Sequence, residues 1–282
     1  MIKILLAGCG GTGTEILKLI VKYKNINLTV IDNDYVEITN LNRQFMFLSE
    51  DIGSLKTECI TKYLKKYKNI DIEYLSYDVK HLSDLPYDIT ICALDNMSGR
   101  MHLNYLFSNK IGSGDNEIIE PVFVDCGLEG EKAHVKVVRR NTSCLYCIKS
   151  LYPTYNTPNI CTLSTHTSDR NKLIKSLLLK EKEDNNKPEE YLEKVKRKYN
   201  MIAKEKKLEP TSIFELEGID KEIIPTTSYI NSICASLCVY AVAKIIKREE
   251  IEFDFIFYDG EKVPYLSIFN LEKDKNCILC NK

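Results

Sequence analysis

Apolar and amphipathic segments alternate along the first half of the chain. The run IKILLA at residues 2–7 has the length of a buried strand, and TEILKLIVKY after the next glycines has the spacing of an amphipathic helix. Further strands are predicted at residues 28–32, 70–76 and 88–93, and helices at residues 14–24, 54–68 and 97–109. Because such alternation is typical of parallel βαβ units, residues 1 to about 126 predict a Rossmann-like, doubly wound α/β sheet.

The pattern changes in the middle of the chain and then returns. Strand-like VFVDC and AHVKVV come before residue 148, whereas residues 148–224 lack the alternation. Within them, residues 180–207 are dense in charge but keep a helical apolar stripe (Leu192, Val195, Tyr199, Ile202), which favours a solvated helix of a small cysteine domain over a linker. A predicted helix at residues 228–247 and the strands FDFIFYD and PYLSIFNL follow. We therefore predict a main domain in two parts, residues 1–147 and 225–282, with a helical insert at residues 148–224.

A glycine-rich segment, GCGGTG, joins the first predicted strand to the first predicted helix. Gly8, Gly10 and Gly13 fit G-x-G-x-x-G, and Gly11 lies among them. Such glycines permit a tight turn and bring backbone N–H groups close to a phosphate at a helix N-terminus. Asp32 ends the second predicted strand, about where the acid of such a fold binds the ribose hydroxyls. Together these residues predict a nucleotide site.

Polar side chains beyond Asp32 indicate which nucleotide chemistry the site favours. They are Asn40, Asn42, Arg43, Lys56, Asp95 and Arg100. Hydride transfer has no need of a guanidinium and an ammonium near the nucleotide, whereas cleavage of a triphosphate does. Asp95 follows the apolar segment DITICAL and is placed to hold Mg²⁺ beside the phosphates. The pattern favours an ATP-dependent enzyme over an NAD-dependent oxidoreductase, and a solvated scatter of charges is the remaining alternative.

Bulk composition fits an intracellular enzyme. Lys and Arg number 39 against 40 Asp and Glu, which gives a net charge of −1 and no basic footprint for nucleic acid. The first apolar run is only as long as a strand, so we expect no signal peptide. Residues 225–243 are polar at their start and predict a buried helix instead of a membrane span. We expect a cytoplasmic or nuclear location.

The chain has 11 cysteines without the pattern of a disulfide framework. Two CxxC pairs, Cys144 with Cys147 and Cys277 with Cys280, together offer four thiolates for a tetrahedral zinc ion; a redox motif is the alternative for either pair. Four others lie in apolar patterns and predict core positions: Cys59, Cys92, Cys234 and Cys238. Cys161 differs, because it lies in the polar segment YPTYNTPNICTLSTHT, where no core periodicity is visible.

These motifs resemble, in the same order, those of the ubiquitin-activating enzyme family and its bacterial relatives, the ThiF/MoeB adenylyltransferases. The similar segments run through nearly the whole chain: TNLNRQFMF, ALDNMSGR, DCGLEGEKAHV, CLYC, IIPTTSYINS and NCILC. Among eukaryotic members, these motifs are most similar to those of neddylation-activating catalytic subunits, and then to those of sumoylation-activating ones.

The resemblance implies roles for the candidate residues. Asp32 would hold the ribose, and Asp95 would serve Mg²⁺ and the adenylate. Three residues would contact the phosphates: Asn42, Arg43 and Lys56. The two CxxC pairs would share one structural zinc ion across the insert. Cys161, in a CT dipeptide after a proline, would accept the activated modifier as a thioester, a step that needs a thiolate; an ordinary loop cysteine is the alternative.

The implied function is ATP-dependent activation of a ubiquitin-like modifier, by adenylation of its C-terminus and then transfer to Cys161. A ThiF/MoeB-type sulfur-carrier adenylyltransferase is the second interpretation, and a pseudo-subunit without activity is the third. Neddylation enzymes carry a modifier-selecting arginine about nine residues before the first zinc cysteine. Val135, or Lys136 after a shift of one residue, has that place here, so the resemblance leaves the modifier open.

The two ends of the chain bear on its partners. It begins directly on the first predicted strand, without the helix whose arginine reaches the neighbouring subunit's ATP in homodimeric relatives. We therefore expect a heterodimer with a pseudo-catalytic activating-enzyme subunit. The chain ends two residues after Cys280, without the ubiquitin-fold domain that recruits the conjugating enzyme in relatives. Expected partners are that subunit, the modifier and a conjugating enzyme, and neither nucleic acid nor a membrane.

Overall fold

A computed structural model describes residues 1–67, 70–112, 120–152, 168–184, 187–206, 208–213, 216, 220, 227–261 and 263–280. The chain divides into two compact units, one of residues 1–152 with 227–282 and the other of residues 153–226. The sequence places the divisions slightly earlier, at residues 148 and 225. The first division differs because Ile148 and Tyr152 are buried in the core of the larger unit.

One sheet forms the centre of the larger unit. Its strands are β1 (Ile2–Ala7), β2 (Ile26–Ile31), β3 (Asp71–Leu75), β4 (Ile89–Cys92), β5 (Val122–Glu129), β6 (Lys132–Val138), β7 (Phe255–Asp259) and β8 (Tyr265–Phe269). They lie in the order β3–β2–β1–β4–β5–β6–β7–β8. The pairs from β3 to β5 are parallel, and those from β5 to β8 are antiparallel. This confirms the predicted doubly wound sheet and adds an antiparallel extension.

Helices cover the sheet and explain its apolar strands. In this unit they are α1 (Gly11–Ile20), α2 (Lys56–Leu64), α3 (Met97–Gly112) and α6 (Ser228–Ile246); two more, α4 (Ser168–Asp184) and α5 (Pro188–Lys206), belong to the smaller unit. Strand β1 is fully buried from Ile4 to Ala7, as expected for a central parallel strand covered on both faces. Of the described helices, only α6 is long and apolar enough to cross a membrane. It packs against α1, β5 and β6, and this packing accounts for its composition.

The smaller unit contains α4 and α5, which pack on each other. The sequence predicts a single helix over residues 180–207, whereas the structure has two helices there. The second helix begins at Pro188, because proline lacks the N–H that a preceding helix would need but suits a first helical turn. Three of the four predicted stripe residues are buried: Leu192, Val195 and Tyr199.

Candidate nucleotide and zinc sites

Strand β1 lies between β2 and β4: β2 and β3 extend the sheet on one side of β1, and β4 and β5 extend it on the other. The loops after the carboxyl ends of these three parallel strands therefore meet at one edge of the sheet, where doubly wound folds bind their ligands. The loop after β1 carries the glycine segment, the loop after β2 carries Asp32, and the loop after β4 carries Asp95. The fold thus brings together three of the regions that the sequence singles out.

The glycine loop makes a turn that side chains would block. Gly8 has a φ of +97°, and a Cβ atom at Gly13 would lie 2.0 Å from the carbonyl oxygen of Gly8. A Cβ atom at Gly11 would lie 2.6 Å from Asn231 Oδ1, at the start of α6. Gly10 is the N-cap of α1. The N–H groups of the first turn have no partners within the helix, so this loop can present them to a phosphate.

Asp32 is tied to the glycine loop. Its Oδ2 accepts a hydrogen bond of 2.6 Å from the backbone N–H of Cys9, and its Oδ1 accepts one of 2.8 Å from that of Asp34. Burial raises the pKa of the Asp32 carboxyl above its ordinary value. The carboxylate therefore has a fixed position beside the loop, which is compatible with its predicted role as the ribose acid.

Lys56 is the first residue of α2, and its ammonium is buried beside two carboxylates. Its Nζ lies 2.7 Å from Asp34 Oδ2. Burial alone would lower the pKa of the Lys56 ammonium, but Asp32 and Asp34 raise it above its ordinary value. The group is therefore charged at neutral pH. Sequence reasoning missed Asp34, although its place two residues after Asp32 was the available signal.

The three candidates that follow β2 lie in one turn. Asn40 is buried, and its Oδ1 accepts a hydrogen bond of 3.0 Å from the backbone N–H of Glu37. Arg43 Nη1 donates to the carbonyl oxygen of Thr39 at 2.9 Å and to Asn42 Oδ1 at 3.1 Å. Asn40 therefore stabilises the turn itself. Phosphate contacts by Asn42 and Arg43 stay predictions.

Asp95 and Arg100 differ in their surroundings. Asp95 is exposed in the loop between β4 and α3, with Asn96 Nδ2 at 3.4 Å from its Oδ1. One accessible carboxylate suits Mg²⁺, which keeps several waters and takes the remaining oxygens from substrate phosphates. Arg100 instead is buried, and it donates to both carboxylate oxygens of Asp125 at 2.7 Å and to the carbonyl oxygen of Leu94. Its guanidinium therefore contacts protein groups, and a contact of Arg100 with the nucleotide stays a prediction.

The four CxxC cysteines come together in the larger unit. The Sγ atoms of Cys144 and Cys147 are 3.9 Å apart, those of Cys144 and Cys277 3.6 Å, and those of Cys147 and Cys280 3.3 Å. All four sulfur atoms lie within 4.8 Å of one another. Zinc–sulfur bonds of about 2.3 Å in a tetrahedron place the sulfurs about 3.8 Å apart, so the four residues fit one structural zinc ion.

We expect one zinc ion per chain, measured by metal analysis of unchelated protein. Cys277→Ser should lose the metal and lower the thermal midpoint, because a structural zinc ion contributes on the order of 10 kcal/mol even in small peptides. Cys59→Ser is the matched control, since Cys59 is also buried but lies in α2, outside the cluster. Wild-type protein that is free of metal and still folded would contradict the zinc site.

Two further expectations concern residues outside these sites. Val135 and Lys136, at the place of the modifier-selecting arginine, are both fully buried in β6. Lys136 Nζ lies 2.7 Å from Asp254 Oδ2, so neither side chain offers a surface to a modifier.

The cysteines predicted as core residues are buried: Cys59, Cys92, Cys234 and Cys238. Cys161 lies outside the described residues.

Comparison with known proteins gives the family. The ThiF family matches residues 1–279. The NEDD8-activating enzyme E1 catalytic subunit of Arabidopsis thaliana is 29% identical over 307 residues, which cover 99% of this chain. The chain spans 65% of the length of that relative. The protein of the same name from Saccharomyces cerevisiae is 28% identical, with 99% of this chain and 97% of that protein covered.

A solved structure agrees with the fold. The crystal structure of E. coli MccB with ATP aligns with a TM-score of 0.61 and 20% identity, and covers 99% of this chain and 66% of that one. At this level of identity, the likeness concerns the fold alone. The family follows from the match over residues 1–279: the chain belongs to the ThiF family.

Proposed function

We propose that this chain activates a ubiquitin-like modifier of the neddylation type, by adenylating the modifier's C-terminus and then taking the acyl group on Cys161. The observation that carries the proposal is the meeting of the glycine loop, Asp32 and the Lys56–Asp34 pair at one edge of a ThiF-family sheet. The names of the Arabidopsis and yeast relatives support the neddylation type.

In the first half-reaction, the modifier's C-terminal carboxylate attacks the α-phosphorus of ATP. The bond from that phosphorus to the bridging oxygen breaks, and pyrophosphate leaves with the electron pair. Asp32 accepts hydrogen bonds from the ribose hydroxyls, and the N–H groups at the start of α1 receive the phosphates. Lys56 and Arg43 stabilise the negative charge that develops as pyrophosphate departs.

Mg²⁺, when bound, would neutralise phosphate charge and orient the leaving group. Asp95 is the residue that would hold it, because its carboxylate is accessible and follows β4 at the same edge of the sheet.

In the second half-reaction, the sulfur of Cys161 attacks the acyl carbon of the adenylate. The carbon–sulfur bond forms, the bond to the phosphate oxygen breaks, and AMP leaves. The thiol must lose its proton first, because only a few per cent of an ordinary thiol is ionised at pH 7.

One incubation tests this function. The protein is mixed with ATP, Mg²⁺ and each of a panel of ubiquitin-like proteins, with and without a pseudo-catalytic activating-enzyme subunit. We expect a reductant-sensitive adduct with a NEDD8-like modifier, and more of it when the second subunit is present. Arg43 and Lys56 alone supply little positive charge for a triphosphate in cleavage, and an arginine from a partner would add to it.

Each other outcome has a clear meaning. Pyrophosphate exchange with a sulfur-carrier protein, but no adduct with any modifier, would favour the ThiF/MoeB-type interpretation. A full yield of adduct without the second subunit would contradict the heterodimer. No exchange and no adduct under any condition would contradict the enzyme itself.

A further inference from the structure

A cluster of four polar side chains, three of them buried and the fourth, His134, partly exposed, is connected to the Asp95 loop. Its centre is Asp125 in β5, which is fully buried. Arg100 Nη1 lies 2.7 Å from both oxygens of Asp125, Tyr152 Oη donates to Oδ2 at 2.8 Å, and His134 Nε2 lies 3.2 Å from Oδ2. We call Arg100, Asp125, His134 and Tyr152 the Asp125 cluster. No step of the proposed reaction uses it directly.

The cluster reaches the nucleotide site through one carbonyl group. The second terminal nitrogen of Arg100, Nη2, donates to the carbonyl oxygen of Leu94. Leu94 follows β4 and is bonded directly to Asp95, the predicted magnesium ligand. Arg100 thus joins a fixed carboxylate in the sheet to the backbone of the loop that carries Asp95.

The same loop also supports the glycine turn. A Cβ atom at Gly8 would lie 2.5 Å from the carbonyl oxygen of Ala93 and 3.1 Å from the backbone nitrogen of Leu94. The two loops are therefore in direct backbone contact. A shift of Leu94 would move the support of Gly8 as well as the carboxylate of Asp95.

Gly127, two residues after Asp125 in β5, leaves space for two side chains of the cluster. A Cβ atom at Gly127 would lie 2.9 Å from Arg100 Nη2 and 2.6 Å from His134 Cε1. Glycine at this position therefore leaves the space that the guanidinium and the imidazole occupy. An alanine would displace Arg100 from the place where it reaches Leu94.

Arg100 and Asp125 both stay charged at neutral pH. Burial alone would raise the pKa of the Asp125 carboxyl, but the Arg100 charge and the hydrogen bonds from His134 and Tyr152 lower it to about 2. Burial and the nearby Asp125 raise the pKa of the Tyr152 hydroxyl well above its ordinary value, so this group stays a donor. Three side chains therefore hold the Asp125 carboxylate in place.

We infer that Asp125 is a positioning residue of the nucleotide site: it holds Arg100, and Arg100 fixes the Leu94 carbonyl and with it the Asp95 and Gly8 loops. The inference rests on the proposed function, because it takes the Asp95 loop to be the magnesium side of an ATP site. It also gives Arg100 a different task from the nucleotide contact predicted from sequence, since the guanidinium acts through the backbone of Leu94.

The test measures ATP binding, with activity left aside. Dissociation constants for ATP are determined in Mg²⁺ and in EDTA, and their ratio gives the gain in affinity due to the metal. For Asp125→Asn we expect this gain to fall by about 10- to 100-fold, the usual effect of losing a group that orients a metal ligand. Asp254→Asn is the matched control: it also breaks a buried pair, between Asp254 just before β7 and Lys136 in β6 at 2.7 Å, but no described hydrogen bond joins that pair to Leu94.

Two milder variants keep the inference testable if Asp125→Asn does not fold. Arg100→Lys retains the charge but lacks the planar guanidinium, whose two terminal nitrogens reach Asp125 and Leu94 separately, so the gain in ATP affinity due to Mg²⁺ should fall as it does in Asp125→Asn. Tyr152→Phe removes a single hydroxyl and should reduce the gain less. Thermal midpoints identify variants that are merely unstable.

The outcomes separate the inference from the function beneath it. If folded Arg100→Lys keeps the wild-type gain, or if Asp254→Asn loses the gain equally, the inference is overturned while the nucleotide site stands. If the wild-type protein binds no ATP in either buffer, the proposed function is overturned, and the inference with it.

Discussion

Lys56→Ala is expected to lower modifier-dependent ATP–pyrophosphate exchange by about 10²- to 10³-fold, the usual effect of losing one donor that stabilises developing charge. The Lys56 ammonium is buried beside Asp34 and stays charged, so its electrostatic effect is little screened by water. Asp95→Ala should have an effect of similar size through the loss of Mg²⁺. Neither change touches the apolar core, so both proteins should remain folded.

The control is another lysine that bridges to an acid. Lys244 lies in α6, and its Nζ is 3.2 Å from Glu249 Oε2 at the surface. Lys244→Ala should leave exchange unchanged, because surface pairs contribute little and this one lies in the last turn of α6, outside the proposed site. Exchange at the wild-type rate in both Lys56→Ala and Asp95→Ala would remove these residues from the adenylation site.

Local patterns predict the parallel half of this fold well. Strand and helix periods follow one another from β1 to α3, and each glycine or acid of interest comes at a strand's end, where a parallel sheet collects ligands. The antiparallel half was predicted only as separate strands. Which strand pairs with which depends on contacts between distant residues, such as Lys136 with Phe255, and no short-range signal encodes these.

In the candidate site, too, features set by local sequence could be predicted, whereas contacts between distant residues could not. Asp32 and the glycines could be predicted, since their roles depend on local turns and helix ends. Asp34 was missed because its partner Lys56 is 22 residues away, and the Asp125 cluster was missed because Arg100 and Asp125 meet across 25 residues. A polar residue's type can be read from a motif, but its buried partner follows from the tertiary fold.

In the charge-dense part of the smaller unit, the sequence does not show how many helices there are or where each begins. Residues 168–184 form a helix whose apolar stripe is too weak to be recognised, whereas the stripe after Pro188 is clear. Lysine and glutamate favour helices through their flexible side chains, but they reveal little about where a helix begins. The apolar stripe therefore does not show where α4 ends and α5 begins; Pro188, the first residue of α5, marks that boundary.

Cys161→Ala is expected to separate the two half-reactions completely. Alanine removes the sulfur that forms the thioester, so no reductant-sensitive adduct should be visible on a non-reducing gel. Pyrophosphate exchange should continue near the wild-type rate, because it uses the groups beside β1, β2 and β4, all in the larger unit. The two measurements are made on the same preparation, and exchange serves as proof that the variant is folded.

The other thiols sharpen this test. Of the cysteines in the described part of the chain, eight are buried, and the two partly exposed ones, Cys147 and Cys280, belong to the four-cysteine cluster that fits a zinc ion. A buried thiol has no access to an adenylate, and a zinc-bound sulfur is already engaged as a ligand. Cys161 is therefore the thiol that we expect to react. An adduct that persists in Cys161→Ala would assign the transfer to another cysteine, whereas loss of both adduct and exchange would place Cys161 in the adenylation step or in the fold.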